Sequence, residues 1–135
     1  MAGETAMAAN KILFVGDDPR VGDLFRAVAQ NCGYDACIVP DAPTCKRALA
    51  FFDPTVISLD FDAPRTDGAA LLQFFADSNC KAWILIASRL RERVVNPALL
   101  RGKEHGLNMA GEILKPMSTE HLRATLMRLR VRLQP

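Results

Sequence analysis

Four polar side chains stand at or just after the ends of short apolar runs, where chemistry is possible. Asp60 closes the run 56–59, and Asp17, Ser88 and Lys115 end three other runs. Two carboxylates held close together repel each other unless a cation lies between them, and oxygen ligands with exchangeable waters suit Mg²⁺. A lysine and a hydroxyl would supply a positive charge and a hydrogen-bond donor to a bound anion. This combination indicates in-line transfer of a phosphoryl group onto a carboxylate oxygen.

Five runs of strand length must position these side chains. The predicted strands are Lys11–Val15, Tyr34–Val39, Val56–Asp60, Ala82–Ala87 and Gly111–Leu114, and segments with helical spacing separate them. Strands that alternate with helices predict a parallel sheet covered on both faces. Short, right-handed connections favour an α/β, flavodoxin-like, doubly wound fold with strand order 2-1-3-4-5. That order brings Asp17 and Asp60 together at its centre, and Ser88 and Lys115 join them from strands four and five.

Helix signals are clear along most of the chain. Asp67 or Thr66 can cap the helix that follows the third strand, and Ser118 can cap the last helix. Residues 89–110 are less regular, because they contain Asn96-Pro97 and two glycines, so a helix is expected there without defined ends.

Length and composition indicate one globular domain. Residues 1–10 are predicted to be a flexible tail and 11–135 the domain, with no membrane span and no secretory signal. The four cysteines lack C-x-x-C spacing and stand in apolar surroundings, which predicts reduced thiols and a cytoplasmic location. The two histidines are interpreted as surface residues without a metal partner.

The charge of the chain is unevenly distributed. Residues 1–80 carry 6 basic and 11 acidic side chains, whereas 81–135 carry 11 basic and 4 acidic ones. Arginines of 89–103 and of the last helix predict a basic surface that suits a partner protein or a second copy of the chain. Direct DNA binding is not favoured, because no recognition helix or aromatic stacking residues accompany the arginines.

Three motifs, in this order and at these separations, carry a family resemblance. They are Ile12-Leu13-Phe14-Val15-Gly16-Asp17-Asp18-Pro19, then Asp60 with Pro64 and Asp67-Gly68, then Ile113-Leu114-Lys115-Pro116. The chain resembles a response regulator receiver domain of bacterial two-component signalling over about Lys11 to Leu133.

The resemblance implies a role for each candidate residue. Asp60 would accept a phosphoryl group from a phosphohistidine on a histidine kinase or phosphotransfer protein. Mg²⁺ would be bound by Asp17, Asp60 and the backbone carbonyl of Asp62. Lys115 would pair with the phosphoryl oxygens, and Ser88 would be the switch hydroxyl unless a shift of one residue puts Ala87 there. Such a module is no enzyme beyond promoting its own phosphorylation and dephosphorylation, and its output face, on the fourth and fifth helices, would contact a partner or form a homodimer.

Three departures from the family pattern affect these expectations. Gly16 stands where the family has the first of two acidic residues, so metal binding is expected to be weaker unless Asp18 compensates. Glu112 stands where the family commonly has an aromatic residue that moves with the switch. The segment between Ser88 and Lys115 is longer than the family pattern.

Two alternatives follow. One is a receiver-like docking module that acts independently of phosphorylation through its basic face. The other is a flavodoxin-like enzyme that binds a small ligand. The second is less favoured, because a loop with one glycine and two acids is poorly suited to cradle a phosphate on backbone amides.

Overall fold

The computed structural model describes residues 10–133 and contains five strands that alternate with five helices. The strands are β1 (Lys11–Val15), β2 (Asp35–Val39), β3 (Val56–Asp60), β4 (Trp83–Ser88) and β5 (Asn108–Leu114). The helices are α1 (Pro19–Asn31), α2 (Ala42–Phe52), α3 (Gly68–Asp77), α4 (Asn96–Glu104) and α5 (Thr119–Leu133). The predicted tail, residues 1–10, lies outside the described residues except for Asn10.

All neighbouring strands are parallel and the sheet order is β2-β1-β3-β4-β5, so the predicted flavodoxin-like topology is confirmed. Strand β3 lies at the centre, where Val15 of β1 pairs with Leu59. On its other side, Asp60 pairs with Ala87 of β4. The carboxyl ends of β1, β3 and β4 therefore meet at one edge of the sheet.

Each face of the sheet buries its own core, because alternate strand residues point to opposite sides. Helices α2, α3 and α4 cover the face that carries Leu13, Ile57 and Ile84. Helices α1 and α5 cover the other face, which carries Phe14 and Leu85. Burial on both faces explains why the strands read as continuous apolar runs rather than as alternating ones.

The segment 89–110 differs most from the sequence prediction. A five-residue π-helical turn, Arg91–Val95, precedes α4, and Pro97 lies in the first turn of that helix, where its missing N–H costs nothing. Strand β5 begins at Asn108, three residues before the predicted start at Gly111. Its pairing with β4 shifts register between Ile84 and Leu85, so that one residue of β5 has no partner. The extra residue interrupts the regular alternation by which a strand is recognised in a sequence.

Helix starts and side-chain chemistry agree with the sequence in most places. Ser118 Oγ accepts a hydrogen bond from the His121 N–H at 3.3 Å, as expected of a cap. Asp67 occupies the cap position of α3, with φ of 48°, but its side chain makes no capping hydrogen bond. All four cysteines are free thiols. Between residues 10 and 133, no helix combines the length and the apolar character needed to cross a membrane.

Candidate functional site

The candidate site is built around Asp60, the last residue of the central strand. Its carboxylate is almost fully buried, with 3% of the residue exposed. The Nζ atom of Lys115, just after β5, donates to both carboxylate oxygens, at 2.8 and 2.7 Å. A buried carboxylate needs such a partner, because burial without one costs several kcal/mol, about 3–5 when one member of a buried pair is removed. The sequence prediction that Asp60 and Lys115 converge is therefore met in the geometry.

A second carboxylate, that of Asp62, lies on the same side of Asp60 as Lys115. The Asp62 N–H donates to Asp60 Oδ1 at 3.0 Å, which fixes the turn that follows β3. Asp62 Oδ1 accepts from Ser88 Oγ at 2.7 Å, and Oδ2 accepts from the Arg89 N–H at 3.0 Å. Lys115 Nζ is 3.7 Å from Asp62 Oδ2. Sequence reasoning named only the backbone carbonyl of Asp62, and nothing in the residue pattern distinguishes that role from one for its side chain.

These contacts determine the charge state of Asp62. Burial alone raises the pKa of its carboxyl, but the hydrogen bonds from Ser88 and the Arg89 amide, together with the charges of Lys115 and Arg89, hold the pKa below its usual value. The side chain is 18% exposed. Asp62 is therefore an ionised group close to the Asp60–Lys115 pair.

Ser88 is fully buried at the end of β4. Its hydroxyl donates to Asp62 and accepts from the Leu90 N–H at 3.0 Å. Ala87, the alternative considered for the switch position, is the residue directly opposite Asp60 in the sheet register. Ser88 thus belongs to the site, but its one proton points to Asp62 in this conformation.

Gly16 lies on the opposite side of Asp60 and is closely packed. A Cβ atom placed on Gly16 would lie 2.7 Å from Phe14 Cε1 and 3.2 Å from Asp60 Cβ. The Phe14 ring is itself buried and packs against Phe25, with 4.6 Å between ring centroids. The absence of an acid at position 16 is therefore accompanied by an aromatic ring in the space that its side chain would need.

Asp17 and Asp18 follow on an exposed loop. Asp18 is the N-cap of α1, and its Oδ1 accepts from the Arg20 N–H at 3.0 Å. Both acids line a shallow cavity of about 210 Å³ together with Val39 and Pro40 of the next loop. Asp18 is thus occupied as a helix cap, whereas Asp17 is an exposed residue two positions after the end of β1.

The donor atoms of the site fit Mg²⁺ better than they fit a softer metal. Asp17, Asp60 and the Asp62 carbonyl would offer two carboxylates and one backbone oxygen, all hard ligands, at an edge that solvent reaches. Mg²⁺ retains several waters and needs only one or two carboxylates from a protein. Within residues 10–133 no cluster of three or more His, Cys, Asp or Glu side chains is arranged to hold a metal. Any Mg²⁺ here would therefore depend on water and on the bound anion for its remaining ligands.

Solved structures with the same fold include receiver domains. The receiver domain of Francisella response regulator 1452 is 22% identical, has a TM-score of 0.76, and the match covers 93% of this chain and 99% of that one. The BeF₃-activated receiver domain of Klebsiella pneumoniae RstA is 27% identical, has a TM-score of 0.70, and the match covers 93% and 100%. The chain has the receiver-domain fold. No protein-family model and no curated protein matches the sequence.

A third receiver domain bears on the metal. The receiver domain of sensor histidine kinase PA1611 from Pseudomonas aeruginosa PAO1 is described with a magnesium ion coordinated in its active site cleft. It is 20% identical to this chain, with a TM-score of 0.73 and coverage of 90% and 97%. At that identity the likeness establishes the fold, and the site roles of individual residues stay predictions.

The predicted basic surface is partly used within the domain itself. Arg91 Nε lies 3.1 Å from Glu112 Oε2, so the residue that stands in the place of the family's aromatic holds an arginine of the π-helical turn. Two arginines of α5 also contact the chain's own groups: Arg130 donates to the Cys32 carbonyl, and Arg132 lies over the Trp83 ring. A docking role for the remaining basic side chains stays a prediction.

Proposed function

We propose that this receiver module accepts a phosphoryl group on Asp60 in a two-component or phosphorelay system. The observation that carries the proposal is the buried Asp60 carboxylate with both oxygens on Lys115 Nζ, at the carboxyl end of the central strand. The carboxylate is an oxygen nucleophile, and the fixed cation beside it neutralises negative charge on the phosphoryl oxygens as the group is transferred.

The reaction is a direct displacement at phosphorus. One Asp60 oxygen forms a bond to phosphorus while the bond from phosphorus to the donor's imidazole nitrogen breaks, and the electron pair leaves with the donor. Lys115 neutralises charge on the transferred oxygens. Mg²⁺, held by Asp17, Asp60 and the Asp62 carbonyl, would neutralise further charge on those oxygens.

The donor in this proposal is a histidine kinase or phosphotransfer protein in the cytoplasm, and the output is a changed interaction surface. The chain's own histidines are both exposed, His105 after the end of α4 and His121 in the first turn of α5, and within residues 10–133 neither makes a hydrogen bond or ion pair with Asp60. A partner must therefore bring the phosphohistidine to Asp60.

Labelling with acetyl phosphate tests the proposal directly. The wild-type chain is expected to gain one phosphoryl group, seen as a mass shift, only when Mg²⁺ is present. Asp60→Asn is expected to abolish the shift, since an amide cannot replace the nucleophilic carboxylate. Asp53→Asn is the matched control, because Asp53 has a left-handed backbone that asparagine tolerates and lies at the other end of the sheet.

The proposal fails if the wild-type chain, folded by circular dichroism, takes no label beside a competent receiver domain. It also fails if Asp60→Asn takes as much label as the Asp53→Asn control, since the phosphoryl group would then be on another residue.

A second candidate is the docking module that works without phosphorylation. Two observations favour it: the Phe14 ring fills the space beside Gly16, and Glu112 pairs with Arg91 where the family commonly has a mobile aromatic. Under this reading a partner binds wild type and Asp60→Asn equally, with or without acetyl phosphate. Under the leading proposal, phosphorylation changes the affinity and Asp60→Asn removes the change.

The flavodoxin-like enzyme has less support. The Gly16 N–H donates to the Val39 carbonyl at 2.9 Å, and the Arg20 N–H donates to the Asp18 carboxylate. These two backbone donors are already paired, and two exposed acids accompany them, so the loop after β1 is poorly suited to hold a phosphate.

A further inference from the structure

The Asp62 carboxylate contacts four groups on the side of Asp60 that faces β4 and β5, one of which is the exposed Arg89 guanidinium, with Nε 3.7 Å from Oδ2. It accepts the Ser88 hydroxyl proton at 2.7 Å and the Arg89 N–H at 3.0 Å, and it lies 3.7 Å from Lys115 Nζ. A hydroxyl, a backbone amide and an ammonium are the donor types that bind a phosphate oxygen. Asp62 therefore occupies an anion site made by its own chain.

Ser88 cannot serve two anions at once. A serine hydroxyl has one proton, and here that proton is donated to Asp62 Oδ1. Its oxygen also accepts from the Leu90 N–H, which fixes the hydroxyl between Asp62 and the loop after β4. For Ser88 to donate to a group on Asp60, the bond to Asp62 must break first.

Lys115 is shared in a similar way. Its Nζ contacts both oxygens of Asp60 and lies within ion-pair distance of Asp62. The two carboxylates share one buried ammonium, and the second cation near Asp62, the Arg89 guanidinium, is largely exposed, so a phosphoryl group would bring further negative charge close to Asp62. The ionised Asp62 thus opposes the arriving anion in two ways, by repulsion and by holding its donors.

We propose that the Asp62 side chain is an internal competitor that holds Ser88 and the Arg89 amide until an anion on Asp60 displaces it. This inference rests on the proposed function of Asp60 and assigns Asp62 a positioning role that limits how tightly the phosphoryl group is held. Displacement also releases the Arg89 amide, which Asp62 accepts, whereas the Leu90 amide donates to Ser88 Oγ and need not change its partner.

Beryllofluoride, a phosphoryl mimic, tests the inference by calorimetric titration at saturating Mg²⁺. Asp62→Asn keeps the size of the side chain and removes its charge. It is expected to tighten beryllofluoride binding about tenfold relative to wild type, because repulsion is lost and an amide oxygen holds the Ser88 and Arg89 donors less strongly than a carboxylate does. In a Ser88→Ala background the gain from Asp62→Asn is expected to shrink, since part of it comes from freeing that hydroxyl.

Two further readouts separate this role from damage to the fold. Asp62→Asn is expected to leave the Mg²⁺ affinity unchanged or to lower it, because a nearby negative charge is lost. A damaged fold would instead lower the affinity for both Mg²⁺ and beryllofluoride. In the absence of metal and anion, hydrogen exchange at the Arg89 amide is expected to be faster in Asp62→Ala than in wild type. Asp53→Asn, the same change at the other end of the sheet, is the control for both measurements.

Each outcome decides the matter. Tighter beryllofluoride binding by Asp62→Asn supports the inference, including the case in which wild type binds none. Equal or weaker binding than wild type overturns it, as does unchanged protection of the Arg89 amide in Asp62→Ala. If wild type binds beryllofluoride while Asp62→Asn gains nothing, only the role of Asp62 fails, whereas binding by neither chain counts against the proposed function as well.

Discussion

The two sides of Asp60 differ in how far the chain completes them. On the side of β4 and β5, Lys115 pairs with Asp60, and Asp62 accepts from Ser88, which is fully buried. On the side of β1, Gly16 offers no side chain and Asp17 lies exposed on a loop. The anion side is thus organised before any ligand arrives, while the metal side is left for ligands and water to complete.

This difference has a physical reason. A buried carboxylate such as Asp60 must be neutralised for the domain to fold, so the cation beside it belongs to the stability of the protein as well as to its chemistry. A metal ion brings its own waters and requires no burial of the acids that bind it. Substitutions on the two sides are therefore expected to separate stability from function.

The largest effect is expected for Lys115→Met, on the organised side. Removing the ammonium leaves the buried Asp60 carboxylate without its cation, so the free energy of unfolding is expected to fall by about 3 kcal/mol. Urea unfolding at neutral pH measures this loss, and acetyl phosphate labelling is expected to fall at least about tenfold with it.

The double variant Lys115→Met/Asp60→Asn is the matched control. Because it removes both charges, it is expected to recover most of the lost stability while staying unlabelled. If the single variant is as stable as wild type, or if the double variant is no more stable than the single one, then the pair is not what stabilises this edge of the sheet.

On the side of β4 and β5, the sequence predicted one contact of the site and missed another. The strand order follows from five apolar runs and short connections, and it alone predicts that Asp60 and Lys115 meet. The side-chain role of Asp62 could not be predicted, because it depends on a turn in which the Asp62 N–H bonds to Asp60. The start of β5 was missed for a related reason: a shift of register is a property of two paired strands, not of either sequence alone.

On the β1 side, the missing acid was visible in the sequence but its packing was not. Gly16 departs from the family pattern, so weaker metal binding was predicted from the residue alone. That the Phe14 ring occupies the space beside it depends on a strand register and a ring orientation, which only the folded chain defines. The sequence alone predicts that an acid at position 16 would strengthen metal binding, whereas the structure also predicts a clash of its side chain with the Phe14 ring.

Gly16→Asp is expected to have the second largest effect. Its Cβ would contact the buried Phe14 ring at 2.7 Å, so the free energy of unfolding is expected to fall by about 2 kcal/mol through overpacking. Gly16→Ala, which adds the same atom without the charge, is expected to show most of this loss in urea unfolding.

A double-mutant cycle with Phe14→Val tests the cause. Gly16→Asp is expected to cost less stability when valine stands at 14, and to raise the Mg²⁺ affinity there by about tenfold, because a third carboxylate then reaches the metal side. Equal cost in both backgrounds would show that the Phe14 ring is not the obstacle.

The smallest change in stability is expected for Asp17→Asn, on the open side. Asp17 is exposed, and within residues 10–133 it makes no ion pair, so the free energy of unfolding is expected to change by less than about 0.5 kcal/mol. Mg²⁺ affinity and Mg²⁺-dependent labelling are nevertheless expected to fall about tenfold, because one of two carboxylates is lost. Asp18→Asn is the matched control, since asparagine keeps the cap of α1. Labelling lost with Asp18→Asn and kept with Asp17→Asn would exchange the two roles, and it would mean that the loop rearranges to bring the capping acid to the metal.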